Sequence, residues 1–212
     1  MVVFYVVRHG QTLLNSLNRA QGWSDSPLTD IGKQTAIELG RKLTEVKIDA
    51  VYTSDLPRAI QTAELILSVQ KRPVPQIKAD ERLREWCLGN LESEYNSNLI
   101  KTMAGWLDGL SSIDELNTRL PDVAEAIYRN DMTGMAEPFS DILSRLKSIF
   151  TELSKNHFEE TAYNVLVVTH AFTIKTLYYL FAREKLHQIG KIDNGAILKL
   201  AFDSNGISLE QL

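Results

Sequence analysis

The chain has 212 residues, of which 44% are hydrophobic and 24% charged, with a net charge of −4. This composition excludes global disorder and fits one domain with a sizeable core. The acidic balance offers no general attraction to nucleic acid or anionic membrane, so any anion binding has to be local.

The first element is the apolar run Val2-Val3-Phe4-Tyr5-Val6-Val7, which reads as a buried strand. It is far too short to span a membrane, and without a basic flank or cleavage site it is not expected to be a signal peptide. Arg8-His9-Gly10 follows directly, placing a histidine where open α/β sheets bind ligands. Thr29 is expected to cap a helix carrying Ile31, Ala36, Leu39, Leu43 and Val46. A strand at about 49–53 then runs into Ser54, and Ala59, Ile60, Ala63, Ile66 and Leu67 mark a second helix that holds Arg58. A strand near 75–79 precedes Leu83-Arg84-Glu85-Trp86 and Cys87. As the single cysteine, Cys87 excludes an intrachain disulfide, fits a reducing cytoplasm and is expected to be inert packing.

Residues 91–136 interrupt the alternation. Two or three short helices fit there, around Asn98 to Leu107 and Pro121 to Arg129, and the segment is expected to be a helical lid within a single 1–212 domain. Ser140 is expected to cap a helix bearing Ile142, Leu146, Ile149 and Leu153. Val165 to Thr169 is another strand, ending in His170, and a helix from Phe172 to Phe181 follows. Ile197 to Leu200 and Ile207 to Leu209, around Ser204-Asn205-Gly206, read as a terminal hairpin at a sheet edge. Strands alternating with helices predict an α/β fold: a largely parallel sheet with helices on both faces.

Three strand ends thus present His9, His170 and Arg58, with Arg8 beside the first. Phosphoryl transfer needs a nucleophile, charge neutralisation around the phosphoryl oxygens and a proton source for the leaving oxygen. His9 can attack through a neutral ring nitrogen, and Arg8 and Arg58 disfavour its protonation. Their guanidinium groups suit a phosphate, and His170 can donate to it. Asn15 and the Gln21-Gly22 turn add neutral groups, and Gly10 is expected to let the backbone approach the ligand. Glu85, between Leu83 and Trp86, is the expected general acid, with Asp80, Glu81 and Glu92 as alternatives. His157 and His187 are expected at the surface, and Glu159-Glu160 in a solvated loop. No histidine or cysteine spacing suggests a metal site.

Arg8-His9-Gly10-Gln11-Thr12 with Asn15, then Ser26-Pro27-Leu28-Thr29 and Gly32, resembles the histidine phosphatase superfamily, also called phosphoglycerate-mutase-like. Ser54-x-Leu56-x-Arg58-Ala59-x-Gln61-Thr62-Ala63, Leu83-x-Glu85 with Gly89-x-Leu91-Glu92, Val168-Thr169-His170 and Asn194-Gly195 extend the likeness over roughly 1–92 and 137–200. The resemblance implies a phosphohistidine on His9, proton donation by Glu85, and phosphate held by Arg8, Arg58 and His170. Asn15, Gln21, Gly22 and Ala171 complete the implied substrate contacts. Ala171 stands where the family often has glycine, and Glu137-Pro138-Phe139-Ser140 where Gly-Glu-Ser is common.

The implied activity is a cytoplasmic phosphatase for small phosphorylated metabolites, using no metal and no cofactor. The rival is a phosphoglycerate mutase with a bisphosphate cofactor. Mutases of this family resemble one another in a longer acid segment, Glu-Arg-His-Tyr-Gly, where this chain has Leu83-Arg84-Glu85-Trp86-Cys87-Leu88-Gly89. A non-catalytic interaction module with the same fold would have no chemical need for His9, Arg58, Glu85 and His170 together.

Overall fold

The computed structural model describes residues 1–109, 113–156, 162–203 and 206–211. Its six-stranded sheet has the order β3-β2-β4-β1-β5-β6, formed by β1 (Val2–Arg8), β2 (Ala50–Thr53), β3 (Ile77–Ala79), β4 (Tyr163–Thr169), β5 (Ile197–Asp203) and β6 (Gly206–Gln211). Strands β3, β2, β4 and β1 run parallel, and β5 and β6 add antiparallel to the β1 edge. The expected largely parallel sheet and terminal hairpin are both present. Ser204, Asn205, His157, Glu159 and Glu160 lie outside the described residues.

Period-two alternation divides the core between the two faces. Val2, Phe4 and Val6 of β1, with Val165 and Val167 of β4, pack on one side. Val7, Leu166 and Val168 point to the other, against Ala36 and Leu39 of α2 (Asp30–Lys42) and Ala59, Ala63 and Ile66 of α3 (Pro57–Leu67). Thr29 caps α2 as expected, its hydroxyl accepting from Gly32 N at 3.0 Å. Helix α2 ends before Val46, and Pro57 occupies the first turn of α3, where its missing N–H costs nothing.

The first face is covered by α7 (Phe139–Asn156) and α8 (Ala171–Phe181), with α1 (Leu13–Ser16) forming a short turn after β1. Helix α7 starts one residue before Ser140, so Ser140 is not its cap; Phe139 N donates instead to Glu125 Oε1 at 3.2 Å. Residues 91–136 hold α4 (Asn96–Trp106), α5 (Ile113–Thr118) and α6 (Leu120–Asn130). Leu99, Met103, Leu116, Leu120, Val123 and Ile127 from these helices join the same apolar cluster as β1 and α7. The segment therefore shares the main core. Cys87 and Trp86 are buried in this region too, and Trp86 Nε1 donates to Thr176 Oγ1 at 3.0 Å.

Candidate active site

The carboxyl ends of β1, β4 and β2 lie side by side, with Arg8 opposite Thr169 and Thr53 opposite Val168. The residues that follow them, His9, His170 and Ser54, therefore emerge together. Arg58, in the first turn of α3, reaches back under both imidazoles. Its Nε lies 3.4 Å from His9 Nε2, its Nη2 lies 3.1 Å from His170 Nδ1, and the two rings are 5.1 Å apart.

Hydrogen-bond chemistry assigns the tautomers. His9 Nδ1 is 2.8 Å from Gly10 O, an acceptor only, so Nδ1 carries the hydrogen and Nε2 the lone pair. A guanidinium offers no lone pair, so His170 Nδ1 must accept from Arg58, and in the neutral ring Nε2 carries the hydrogen. His170 Nε2 is buried and meets no partner among the described residues, as is true of Arg8 Nε. Buried donors left unpaired are costly and at a site await an acceptor. Burial, with Arg58 and Arg8 nearby, holds the His9 imidazole well below the usual histidine range. Burial, then Arg58, acts in the same direction on His170.

Glu85 is buried at the amino terminus of α8. Its Oε2 accepts from Phe172 N at 2.9 Å, and its Oε1 from Thr173 N at 2.9 Å and Trp86 N at 3.1 Å. Burial raises its pKa above the ordinary carboxylate value, and these three N–H donors offset only part of that. Arg145 fixes the chain on either side, donating to the carbonyls of Arg82, Arg84 and Glu85. Of the four candidate acids, Glu85 alone faces the cavity in front of His9. Asp80 pairs with Arg82 at 2.7 Å, and Glu92 is saturated by other donors.

That cavity, of about 150 Å³, is bounded by Arg8, His9, Asn15, Gln21, Glu85 and Ala171 among the expected residues. Arg8 Nη1 donates to Ile192 O. Asn15 Oδ1 accepts from Asn194 Nδ2 at 3.1 Å, and Asn194 also donates to His9 O at 3.0 Å, so the late Asn194-Gly195 turn braces the first motif. Gln21 Oε1 accepts from Thr12 Oγ1 at 2.6 Å.

Arg58 is fully engaged by the protein. Beyond the imidazoles, it donates to Ser24 O and Asp25 Oδ1 at 2.9 Å and to Gly22 O at 2.6 Å, which uses all five N–H groups. Gly22 faces this cluster: its N–H is held by Glu92 at 3.0 Å, and a Cβ there would fall 2.4 Å from Trp86 O. Gly10 permits a different close approach from the one expected, since a Cβ on it would meet Gly32 O of α2 at 2.5 Å.

Sequence reasoning missed the work of Glu92. Its carboxylate accepts from Trp23 N at 2.7 Å, Ser24 N at 3.1 Å, Ser24 Oγ at 2.7 Å and Leu88 N at 3.0 Å, in addition to Gly22 N. The loop 22–25 is thus gripped by Glu92 through its N–H groups and by Arg58 through its carbonyls. Also unforeseen at the cavity are the cations Arg19, Lys175 and Lys191 and the apolar Leu99, Ile100 and Leu116. His187 is exposed as expected, and Trp23 donates from Nε1 to Glu85 O at 2.9 Å.

Residues 4–212 match the family model of the histidine phosphatase superfamily (branch 1). A probable phosphoglycerate mutase GpmB from Salmonella choleraesuis (strain SC-B67) is 40% identical over 106 residues, 50% of this chain and 48% of the relative. The chain thus spans about half the length of the curated relatives it matches. The crystal structure of a phosphoglycerate mutase from Bacillus anthracis str. Sterne superposes with a TM-score of 0.90 at 31% identity, covering 100% of this chain and 92% of that one. Bacillus stearothermophilus YhfR superposes with a TM-score of 0.77 at 30% identity, covering 100% and 96%. By its family match, its fold and its paired strand-end histidines, the chain belongs to the histidine phosphatase superfamily.

Proposed function

We propose that this protein is a phosphatase that hydrolyses small phosphomonoesters through a phosphohistidine on His9. The observation that carries the reading is the hydrogen bond from His9 Nδ1 to Gly10 O, which leaves a neutral Nε2 as nucleophile. In the first step the Nε2 lone pair, released from its 3.4 Å contact with Arg58 Nε, forms a bond to phosphorus as the bond to the leaving oxygen breaks. Protonated Glu85 gives its proton to that oxygen, and its raised pKa supports this role. In the second step water attacks phosphorus, Glu85 takes the water's proton, and the phosphorus–nitrogen bond breaks to restore His9. Arg8 Nε and His170 Nε2, the unpaired buried donors, supply hydrogen bonds to the phosphoryl oxygens. Arg58 contributes its charge; to donate to the phosphoryl group it must exchange one of its present partners.

The mutase reading shares the first step and is favoured by the names of the two relatives called phosphoglycerate mutase. It differs in the acceptor, returning the phosphoryl group to a bound alcohol in place of water. Product analysis with labelled water separates the two.

His9→Ala is expected to lower turnover by several orders of magnitude, on the scale of other nucleophile deletions. Rapid base quench of the wild type with labelled substrate should trap phosphate on His9 that is stable in base and released on acidification. Retention of more than about a tenth of the activity, against that scale, would reject the assignment.

Glu85→Gln is expected to slow alkyl phosphates by about 10²–10⁴-fold in single turnover, because an alkoxide needs its proton. A nitrophenyl ester, with a far less basic leaving group, should lose much less. Equal losses for both esters would remove Glu85 as the acid.

Neutral buried imidazoles also leave a mark on stability. The folded pKa values of His9 and His170 lie below their unfolded values, so the unfolded chain binds more protons below the ordinary histidine pKa. Stability should therefore fall as pH drops from about 6.5, by up to about 1.4 kcal/mol per pH unit for each histidine. Urea denaturation of wild type and His170→Asn across pH 5 to 8, a range of about the histidine titration, should show a shallower slope in the variant. Identical slopes would mean that His170 does not fold as a neutral ring.

A further inference from the structure

The cavity in front of His9 has a polar reacting side, made by Arg8, His9 and Glu85. What α4 and α5 bring to it is of another character: Leu99, Ile100 and Leu116, with Asn96 the one polar contribution from these two helices among the described residues. Leu88 and Phe172 extend this apolar surface. The Phe172 ring is fixed, stacked on Trp86 at 4.8 Å and 19°.

The nearby cations are each engaged by the protein. Arg19 donates to Ser93 O at 2.6 Å and lies 4.0 Å from the centre of the Tyr95 ring. Lys175 stands 5.2 Å from the centre of the Phe172 ring. Lys191, at the exposed rim, is 3.7 Å from Asp193. The side chains of Leu99, Ile100 and Leu116 offer a carboxylate no hydrogen-bond donor in place of its lost water, whereas hydrocarbon laid against them would gain.

The geometry points to leaving-group selection by this wall: the preferred substrates are monoesters of small alcohols with an apolar body, a short alkyl chain or a single ring. Phosphorylated hydroxy acids are poorer substrates. This inference rests on the phosphomonoesterase reading and names the substrate class of the same site. Size sets the limit. The cavity of about 150 Å³ has to seat the phosphoryl group as well as the alcohol, so only a small alcohol fits.

The test is a series of n-alkyl phosphates from ethyl to octyl, whose leaving groups differ little in basicity, run beside 3-phosphoglycerate. Each methylene reaching the wall should raise kcat/KM about fourfold, the effect of burying one methylene. The rise should level off once the cavity is filled. The same series of non-hydrolysable alkylphosphonates, measured by calorimetry, should tighten in parallel.

Ile100→Gln and Leu116→Gln should flatten the dependence, lowering the hexyl-to-ethyl ratio by about tenfold or more if two to three methylenes lose their apolar contact. Leu116 is 2% exposed and its replacement costs core packing. Ile100 is half-buried, so its variant reads the wall with less effect on folding.

A flat series, or 3-phosphoglycerate turned over faster than butyl phosphate, would overturn the inference while leaving the phosphatase reading intact. If no phosphomonoester is hydrolysed yet phosphonate affinity climbs with chain length, the hydrolase reading fails and the apolar subsite stands. Phosphonate affinity independent of chain length would remove the subsite.

Discussion

The structure turns on one buried cation. Taking a guanidinium out of water costs several kcal/mol unless its donors are met. Arg58 meets that demand with five acceptors: Ser24 O, Asp25 Oδ1, Gly22 O and one nitrogen from each of His9 and His170. The last two have a chemical consequence. An imidazole nitrogen can accept from Arg58 only when it is unprotonated, so one cation discourages charge on both rings and selects their tautomers. The pairing with Gly10 O completes the assignment for His9. Because Arg58 needs the carbonyls of 22–25, the loop has to be held, and Glu92 holds it from the far side.

Glu85 depends on a second set of supports. Helix α8 begins at Ala171, directly after His170, so the same chain reversal that delivers the second imidazole also presents the N–H groups of Phe172 and Thr173 to the carboxyl group. Arg145 ties the preceding carbonyls, and Phe172 is stacked on Trp86 beside the carboxyl group. Burial and backbone donors pull the Glu85 pKa in opposite directions, and burial prevails. The proposed role of Glu85, acid in the first step and base in the second, needs that balance.

Much of this was legible in the sequence because it is local. β-Branched runs marked β1, β2 and β4, helical spacing marked α2, α3 and α7, and a motif at each strand end located His9, Arg58 and His170. Errors fell where local signals compete: Ser140 is a good capping residue, yet α7 starts at Phe139 because Glu125, from another helix, supplies the acceptor. Gly10 was legible as a close approach, but not what approaches it. Glu92 and Arg145 escaped as structural supports because their partners lie far off in sequence: a carboxylate that accepts five bonds from 22–24 and Leu88 looks in sequence like any other acid. The apolar wall of Leu99, Ile100 and Leu116 was likewise hidden, since those residues also read as ordinary core positions and in part are.

The most direct measurement is nitrogen-15 NMR of the imidazole rings in the unliganded protein near neutral pH. Two neutral histidines of opposite form are expected: His9 protonated at Nδ1 with no hydrogen on Nε2, and His170 protonated at Nε2 with no hydrogen on Nδ1. Both forms should persist below the pH at which an exposed histidine becomes charged. An imidazolium at either position near neutral pH, or a His9 that carries its hydrogen on Nε2, would contradict it.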